Sequence, residues 1–233
     1  MKHVVKLGLG AGTALLLAAT FLQGPARGAE DGHVVPAPAM DVTNAAGPQT
    51  IVLSGGCFWG VQGVFEHVKG VQRAVSGYAG GKADNANYET VSGGDTGHAE
   101  SVQITYDPKV ISYGKILQIF FSVVLDPTMV NAQGPDTGTQ YRSEIWTANA
   151  DQARVAQAYI AQLDAAHVFH APIATRVDPV SAFYPAEGYH QDFLEYHPDY
   201  PYIVYNDMPK VAALKALFPS DYAAKAVLTG FKS

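Results

Sequence analysis

Cys57 is the only cysteine among 233 residues, and the residues around it are those that make a thiol reactive. Gly55-Gly56-Cys57-Phe58-Trp59-Gly60 lies where a β-branched run hands over to a helical pattern. The two glycines let the backbone turn sharply and approach a ligand. Cys57 then falls at a helix N-terminus, where unpaired N–H groups and the helix dipole favour a thiolate and lower the thiol pKa from about 8.5. A thiolate is a nucleophile; a small buried cysteine closing a strand–helix corner is the inert alternative. Phe58 and Trp59 follow on the first helical turn and point in different directions, so both cannot join one narrow core stripe. At least one should border the site as an apolar wall, with ordinary core packing the other role open to each. Glu100 ends the glycine-rich stretch Gly93-Gly94-Asp95-Thr96-Gly97-His98-Ala99-Glu100 and starts a strand with apolar neighbours. A carboxyl placed there can hold its proton near neutral pH and donate it; at an exposed strand end it would do neither. Residues 134–143 form a loop too dense in side-chain donors to be a mere connector, and Tyr88 lies in another. Tyrosines can donate hydrogen bonds to a ligand oxygen, though most of the 13 here must be structural.

The elements that must position these groups follow from periodicity. Residues 50–54 predict a buried strand ending at Gly55-Gly56. Phe58, Val61, Val64, Phe65 and Val68 recur at helical spacing, and Gly70 ends that helix. Residues 71–77 and 99–106 predict two further strands. Ser112 can cap a helix faced by Tyr113, Ile116, Leu117, Phe120, Phe121 and Val124, which stops before Pro127. Residues 143–147 predict a fourth strand. Asn149, with Gln152 three residues on, starts a helix carrying Val155, Tyr159, Ile160 and Leu163. Residues 173–177 predict a fifth strand. The rest, to about Pro219, is dense in Tyr, Pro and Asp with little periodicity. The order β-α-β-β-α-β, then α-β, predicts an α+β fold with a ferredoxin-like split β-α-β sandwich core, helices on one face. An added helix and strand and a long irregular C-terminal region complete it.

Hydrophobic residues make up 48% of the chain and charged residues 15%, a globular composition. The net charge is −6, and no run of Lys or Arg forms a basic face, which argues against nucleic acid. Two lysines in residues 1–6, an apolar stretch over 7–22 and small residues with Pro25 over 23–29 read as a secretory signal peptide, residues 1–28. The apolar stretch is shorter than the roughly 20 residues of a spanning helix. Residues 29–49 are expected to be a flexible lead, 50–219 the catalytic domain and 220–233 a tail. The expected location is periplasmic or secreted, with no membrane partner after cleavage. An exported chain with one cysteine can form no internal disulfide, which leaves its thiol inert or kept for chemistry.

Taken together these segments closely resemble the A-type peptide methionine sulfoxide reductases over roughly residues 50–219. Four motifs carry the resemblance: Gly56-Cys57-Phe58-Trp59-Gly60, Gly77-Tyr78-Ala79-Gly80-Gly81, Gly94-Asp95-Thr96-Gly97-His98-Ala99-Glu100 and Gly138-Thr139-Gln140-Tyr141-Arg142-Ser143. Glu187-Gly188-Tyr189-His190-Gln191-Asp192 also fits. The resemblance implies Cys57 as nucleophile and Glu100 as the acid that protonates the sulfoxide oxygen. It implies Phe58 and Trp59 as the pocket for the sulfoxide methyl, Tyr88 and Tyr141 as hydrogen-bond donors to the oxygen, and Asp136 as a carboxylate lining the pocket. It further implies action on the S epimer, free or within proteins, with no metal and no bound cofactor. Attack by Cys57 would leave methionine and a sulfenic acid, which must be reduced before it oxidises further. Many relatives carry C-terminal cysteines for that step. This sequence has none, and Ser92 and Leu125 stand where cysteine and histidine occur in relatives. An external thiol reductant (thioredoxin-like, glutaredoxin or a small thiol) is therefore expected to resolve the intermediate.

Three other readings compete. A cysteine-based peroxide reductase would explain the sulfenic acid but not the Phe-Trp pair or the distant Glu100. An exported binding protein for methionine-containing peptides would bind without thiol-dependent turnover. His167 and His170 could share a helix face, but no further metal ligand stands at usable spacing. His190 is open either to a place near the pocket or to a structural role.

Overall fold

The computed structural model describes residues 32–43 and 46–231; the segment read as a signal peptide, 1–28, lies outside the described residues. A six-stranded mixed sheet organises the chain. Its strands are β1 (Gln49–Gly55), β2 (Val71–Ala79), β3 (Ala99–Tyr106), β6 (Ser143–Thr147), β7 (Arg176–Pro179) and β8 (Phe183–Pro185), in the order β7-β6-β1-β3-β2-β8. Strand β3 lies antiparallel between β1 and β2, which α1 (Phe58–Glu66) connects. Strand β6 pairs antiparallel with β1, and only the β6–β7 pair is parallel. Helices α2 (Tyr88–Val91), α3 (Tyr113–Ile119), α4 (Ala150–Ala165), α5 (Phe193–Tyr196) and α6 (Met208–Leu217) and a two-stranded ribbon, β4 (Ala132–Gln133) with β5 (Asp136–Thr137), complete the described elements.

Alternation along the strands sets the layers. Ile51, Leu53, Ile104 and Ile145 are fully buried in one cluster with Val61, Val64 and Phe65 of α1 and Ile116 and Leu117 of α3. The opposite face carries a smaller cluster of Val52, Ala79, Ala99 and Trp146, with Val180 and Phe183 packed against it. The expected caps are made: the Ser112 hydroxyl accepts from Lys115 N–H at 3.2 Å and the Asn149 side chain from Gln152 N–H at 3.0 Å.

Several expectations are corrected. Strand β7 begins at Arg176 rather than 173, because Ile173 N–H and Ala174 N–H donate to the Asp164 carboxylate and the Pro127 carbonyl instead of a ladder. The helix opened by Ser112 ends as a π turn over Phe120–Val124. The stretch read as irregular holds β8, α5, a second π turn over Ile203–Asp207 and the ten-residue α6. Part of the segment read as a flexible lead is docked: Val35 is fully buried, and Tyr159 OH donates to Pro36 O at 2.6 Å. Gln118 and Gln162 side chains donate to the carbonyls of Val35 and Ala37. The tail is also held, since Ala223 N–H donates to His67 O and Thr229 N–H to the Asp192 carboxylate at 3.0 Å. Among the described residues no helix is long and apolar enough to cross a membrane.

Candidate active site

The turn from β1 into α1 places Cys57 at the N-cap of α1, with no side-chain capping bond of its own. Gly56 makes that turn at φ +90, and a Cβ there would sit 2.6 Å from the Gln133 Cβ. The backbone of β1 can thus reach the β4–β5 ribbon only through glycine.

A cavity of about 230 Å³ opens over Cys57. Phe58, Trp59, Tyr88, Glu100, Asp136 and Tyr141 all line it, so the seven residues singled out in the sequence converge on one space. Five structural segments supply them: the start of α1, the start of α2, β3, β5 and the turn before β6. Tyr200 and Tyr202 close the remaining wall.

Several of these residues are held by hydrogen bonds or ring stacking. The Phe58 N–H donates to Glu100 Oε2 at 3.0 Å, tying the carboxyl to the first turn of α1. Glu100 is 4% exposed, and burial pushes its carboxyl up to about 8, with Asp136 and Asp207 adding to the effect and the Phe58 N–H opposing it. At neutral pH Glu100 therefore keeps a proton to give. Trp59 lies flat on Phe193, centroids 3.9 Å apart, and its indole N–H donates to His190 Nδ1 at 3.2 Å. That bond fixes His190 as the tautomer with its proton on Nε2, and burial lowers the pKa of the ring. His190 also packs against Phe58 and Tyr88. Glu187 accepts from both Tyr88 N–H and Tyr78 OH at 2.9 Å, which anchors α2 to the sheet. Tyr202 OH donates to Asp136 Oδ2.

The thiol itself departs from expectation. Burial pushes the Cys57 pKa well above its ordinary value, and the carboxylates of Glu100 and Asp207 push it further, against the Trp59 N–H and Lys210. The helix terminus does act in the expected direction, but desolvation outweighs it.

Sequence reasoning left His190 open and did not single out Tyr200, Tyr202, Asp207 or Lys210. The tyrosines sit in the aperiodic aromatic stretch, where dense Tyr outside any core stripe was the available signal. Asp207 is fully buried, with Lys210 Nζ 3.4 Å from its Oδ1, and burial pushes it up to about 6. A Cβ on Gly60 would lie 2.1 Å from Asp207 Oδ1. Gly60→Ala should therefore destabilise the fold by about 1–3 kcal/mol, because overlap with a buried carboxyl exceeds the roughly 1 kcal/mol gained in helix propensity. Thermal denaturation reads this directly, and an unchanged or raised midpoint would show that Asp207 can move aside.

The family model described as peptide methionine sulfoxide reductase matches residues 49–221. A peptide methionine sulfoxide reductase MsrA 2 of Mesorhizobium japonicum is 61% identical over 81% of this chain and 97% of its own length. One from Synechocystis is 48% identical over 82% and 92%. Among solved structures, reduced Mxr1 from Saccharomyces cerevisiae superposes with a TM-score of 0.60 at 32% identity, covering 70% of this chain and 92% of that one. Methionine sulfoxide reductase A of Corynebacterium diphtheriae gives 0.57 at 32% identity, covering 72% and 87%. With the family model spanning most of the sequence and a full-length relative at this identity, the chain belongs to the peptide methionine sulfoxide reductase family.

Proposed function

We propose that this chain reduces the S epimer of methionine sulfoxide, free or within proteins, through a sulfenic acid on Cys57. The observation that carries the reading is the convergence of Cys57, the buried Glu100 carboxyl and the Phe58–Trp59 wall on one cavity. A sulfoxide sulfur is a poor electrophile until its oxygen is protonated. In the proposed reaction Glu100 gives its proton to that oxygen, Tyr88 and Tyr141 donate hydrogen bonds to it, and the methyl group lies against Phe58 and Trp59. The positive charge that develops on the substrate lowers the pKa of the nearby thiol, whose proton passes to Glu100 as the sulfur attacks. The S–O bond of the substrate breaks and oxygen ends on Cys57, so thiol plus sulfoxide gives sulfenic acid plus methionine. Asp136, held by Tyr202, lines the cavity.

No bound cofactor takes part, and an external thiol, small or carried by a protein, returns Cys57 to its reduced form. The signal-like residues 1–28 support export, and hence repair of oxidised proteins in the periplasm or outside the cell. The fold reads as a ferredoxin-like split unit, a reading supported by the all-antiparallel order β6-β1-β3-β2.

One equivalent of methionine S-sulfoxide, added without reductant, should yield one methionine and one dimedone-reactive sulfenic acid per chain. The R epimer should yield neither. Faster reaction with a hydroperoxide than with the sulfoxide would sink the assignment in favour of a peroxide reductase.

A further inference from the structure

Cys57 borders two cavities. The second, about 120 Å³, is lined by Leu125, Met129, Gln133, Asn206 and Lys210 among others. Cys57, Tyr202 and Asp136 are the only groups common to both. The hydrogen-bonded Tyr202–Asp136 pair thus stands on the wall shared by the two cavities, with Cys57 on the lining of both. None of the roles assigned to the first cavity uses the second.

The chemistry of recycling needs such a space. A thiol that attacks a sulfenic acid sulfur must approach roughly in line with the departing oxygen, from its far side. On the reading proposed above, on which this inference rests, the oxygen arrives from the sulfoxide and lies in the first cavity beside Glu100. The second cavity, which Cys57 also lines, is the space that offers such an approach. Among the described residues Lys210 is the one Lys or Arg lining either space, and its ammonium, shared with Asp207 at 3.4 Å, favours the thiolate form of an entering thiol. Asp126 and Asp136 line the same cavity and oppose an entrant that carries carboxylates. The cavity, about 120 Å³, has room for a short thiol arm.

We propose that this second cavity is the entrance for the reducing thiol. An uncharged or cationic –CH2–SH arm, from a small thiol or an exposed cysteine of a protein, passes Met129 and attacks Cys57 Sγ opposite the leaving oxygen. In that step an S–S bond forms and the S–O bond breaks. The Cys57 sulfur is reduced, the thiol sulfur is oxidised, and the thiol proton leaves with the hydroxyl as water. A second thiol then attacks the outer sulfur, which frees Cys57 as a thiol and releases a disulfide. Substrate and reductant so enter by separate doors.

The test separates the half-reactions. Sulfenic acid is formed with one equivalent of S-sulfoxide, and its loss is followed after adding cysteamine, mercaptoacetate or reduced thioredoxin. Met129→Trp should leave the first methionine released at a rate within twofold of wild type. It should slow capture by cysteamine, by thioredoxin or by both at least tenfold. Slowing of cysteamine alone assigns the cavity to small thiols, and slowing of both assigns it to the arm they share. Unchanged capture of both, or equal slowing of both half-reactions, overturns the proposal. With wild-type protein, saturating N-acetylmethionine amide in the first cavity should leave cysteamine capture within twofold, and cysteamine should outpace mercaptoacetate. Competitive protection by the amide, or a faster mercaptoacetate, overturns it. If wild type forms no sulfenic acid at all, the reading of Cys57 fails instead, and that outcome is distinct.

Discussion

Cys57→Ser is expected to lower methionine formation by about four orders of magnitude or more, with no loss of stability. A serine hydroxyl is a far weaker nucleophile than a thiol at the same position, and a carboxylate such as Glu100 is too weak a base to activate it. Losing a nucleophile commonly costs on that scale because the remaining groups act only with it. The fold should survive. Cys57 makes no capping bond, whereas serine is a preferred N-cap whose hydroxyl can accept from the second or third N–H of α1, worth about 0.5–2 kcal/mol. A thermal midpoint equal to or above wild type, together with undetectable turnover, would assign the loss to chemistry. Retained activity would remove Cys57 from the nucleophile role.

What the sequence could and could not reveal divides along physical lines. Cys57, Phe58, Trp59 and Glu100 sit where a short local pattern changes, at a strand end, a helix start or a glycine-rich turn, and such junctions are readable in one dimension, whereas Asp136 and Tyr141 were reached through the family resemblance. The antiparallel pairing of β1, β2 and β3 was not, since the strand patterns fix which face is buried and not which strand is the neighbour. Tyr202 and Asp207 escaped for a sharper reason. They are five residues apart, a spacing that an α-helix turns well away from one direction. The π turn over Ile203–Asp207 unwinds the backbone so that both reach the surroundings of Cys57. A search for helical periodicity therefore sees noise there. The same limit explains the thiol. Its helix-terminal position was legible, but the burial and the carboxylates of Glu100 and Asp207 that raise its pKa come from β3 and from that π turn. The docking of residues 32–43 was hidden because one apolar anchor, Val35, and a few backbone bonds suffice to hold an extended segment.

Glu100→Gln should lower the single-turnover rate by roughly two orders of magnitude or more, the usual worth of a positioned general acid, and should change its pH dependence. Glutamine keeps the shape and can still accept the Phe58 N–H, but it has no proton to give. In wild type the acid is competent only while protonated. With the folded pKa at about 8, the wild-type rate should fall as pH rises through that value. A limb due to Cys57 would run the other way, rising with thiolate, so the two groups are separable by sign. Glu100→Gln should erase the falling limb, and its persistence would assign that limb to another group. Stability supplies an independent check. The folded pKa is raised above the unfolded value of about 4.3, so the folded state binds the proton more tightly than the unfolded one. Stability relative to glutamine is greatest below the unfolded pKa and is lost progressively up to about pH 8, on the order of a few kcal/mol. Glu100→Gln should accordingly raise the thermal midpoint at pH 9 more than at pH 5. A variant slower in catalysis, flat in alkaline pH and more stable there is what a buried carboxyl kept protonated for proton transfer requires; equal stabilisation at both pH values would mean that Glu100 is not held protonated in the folded protein.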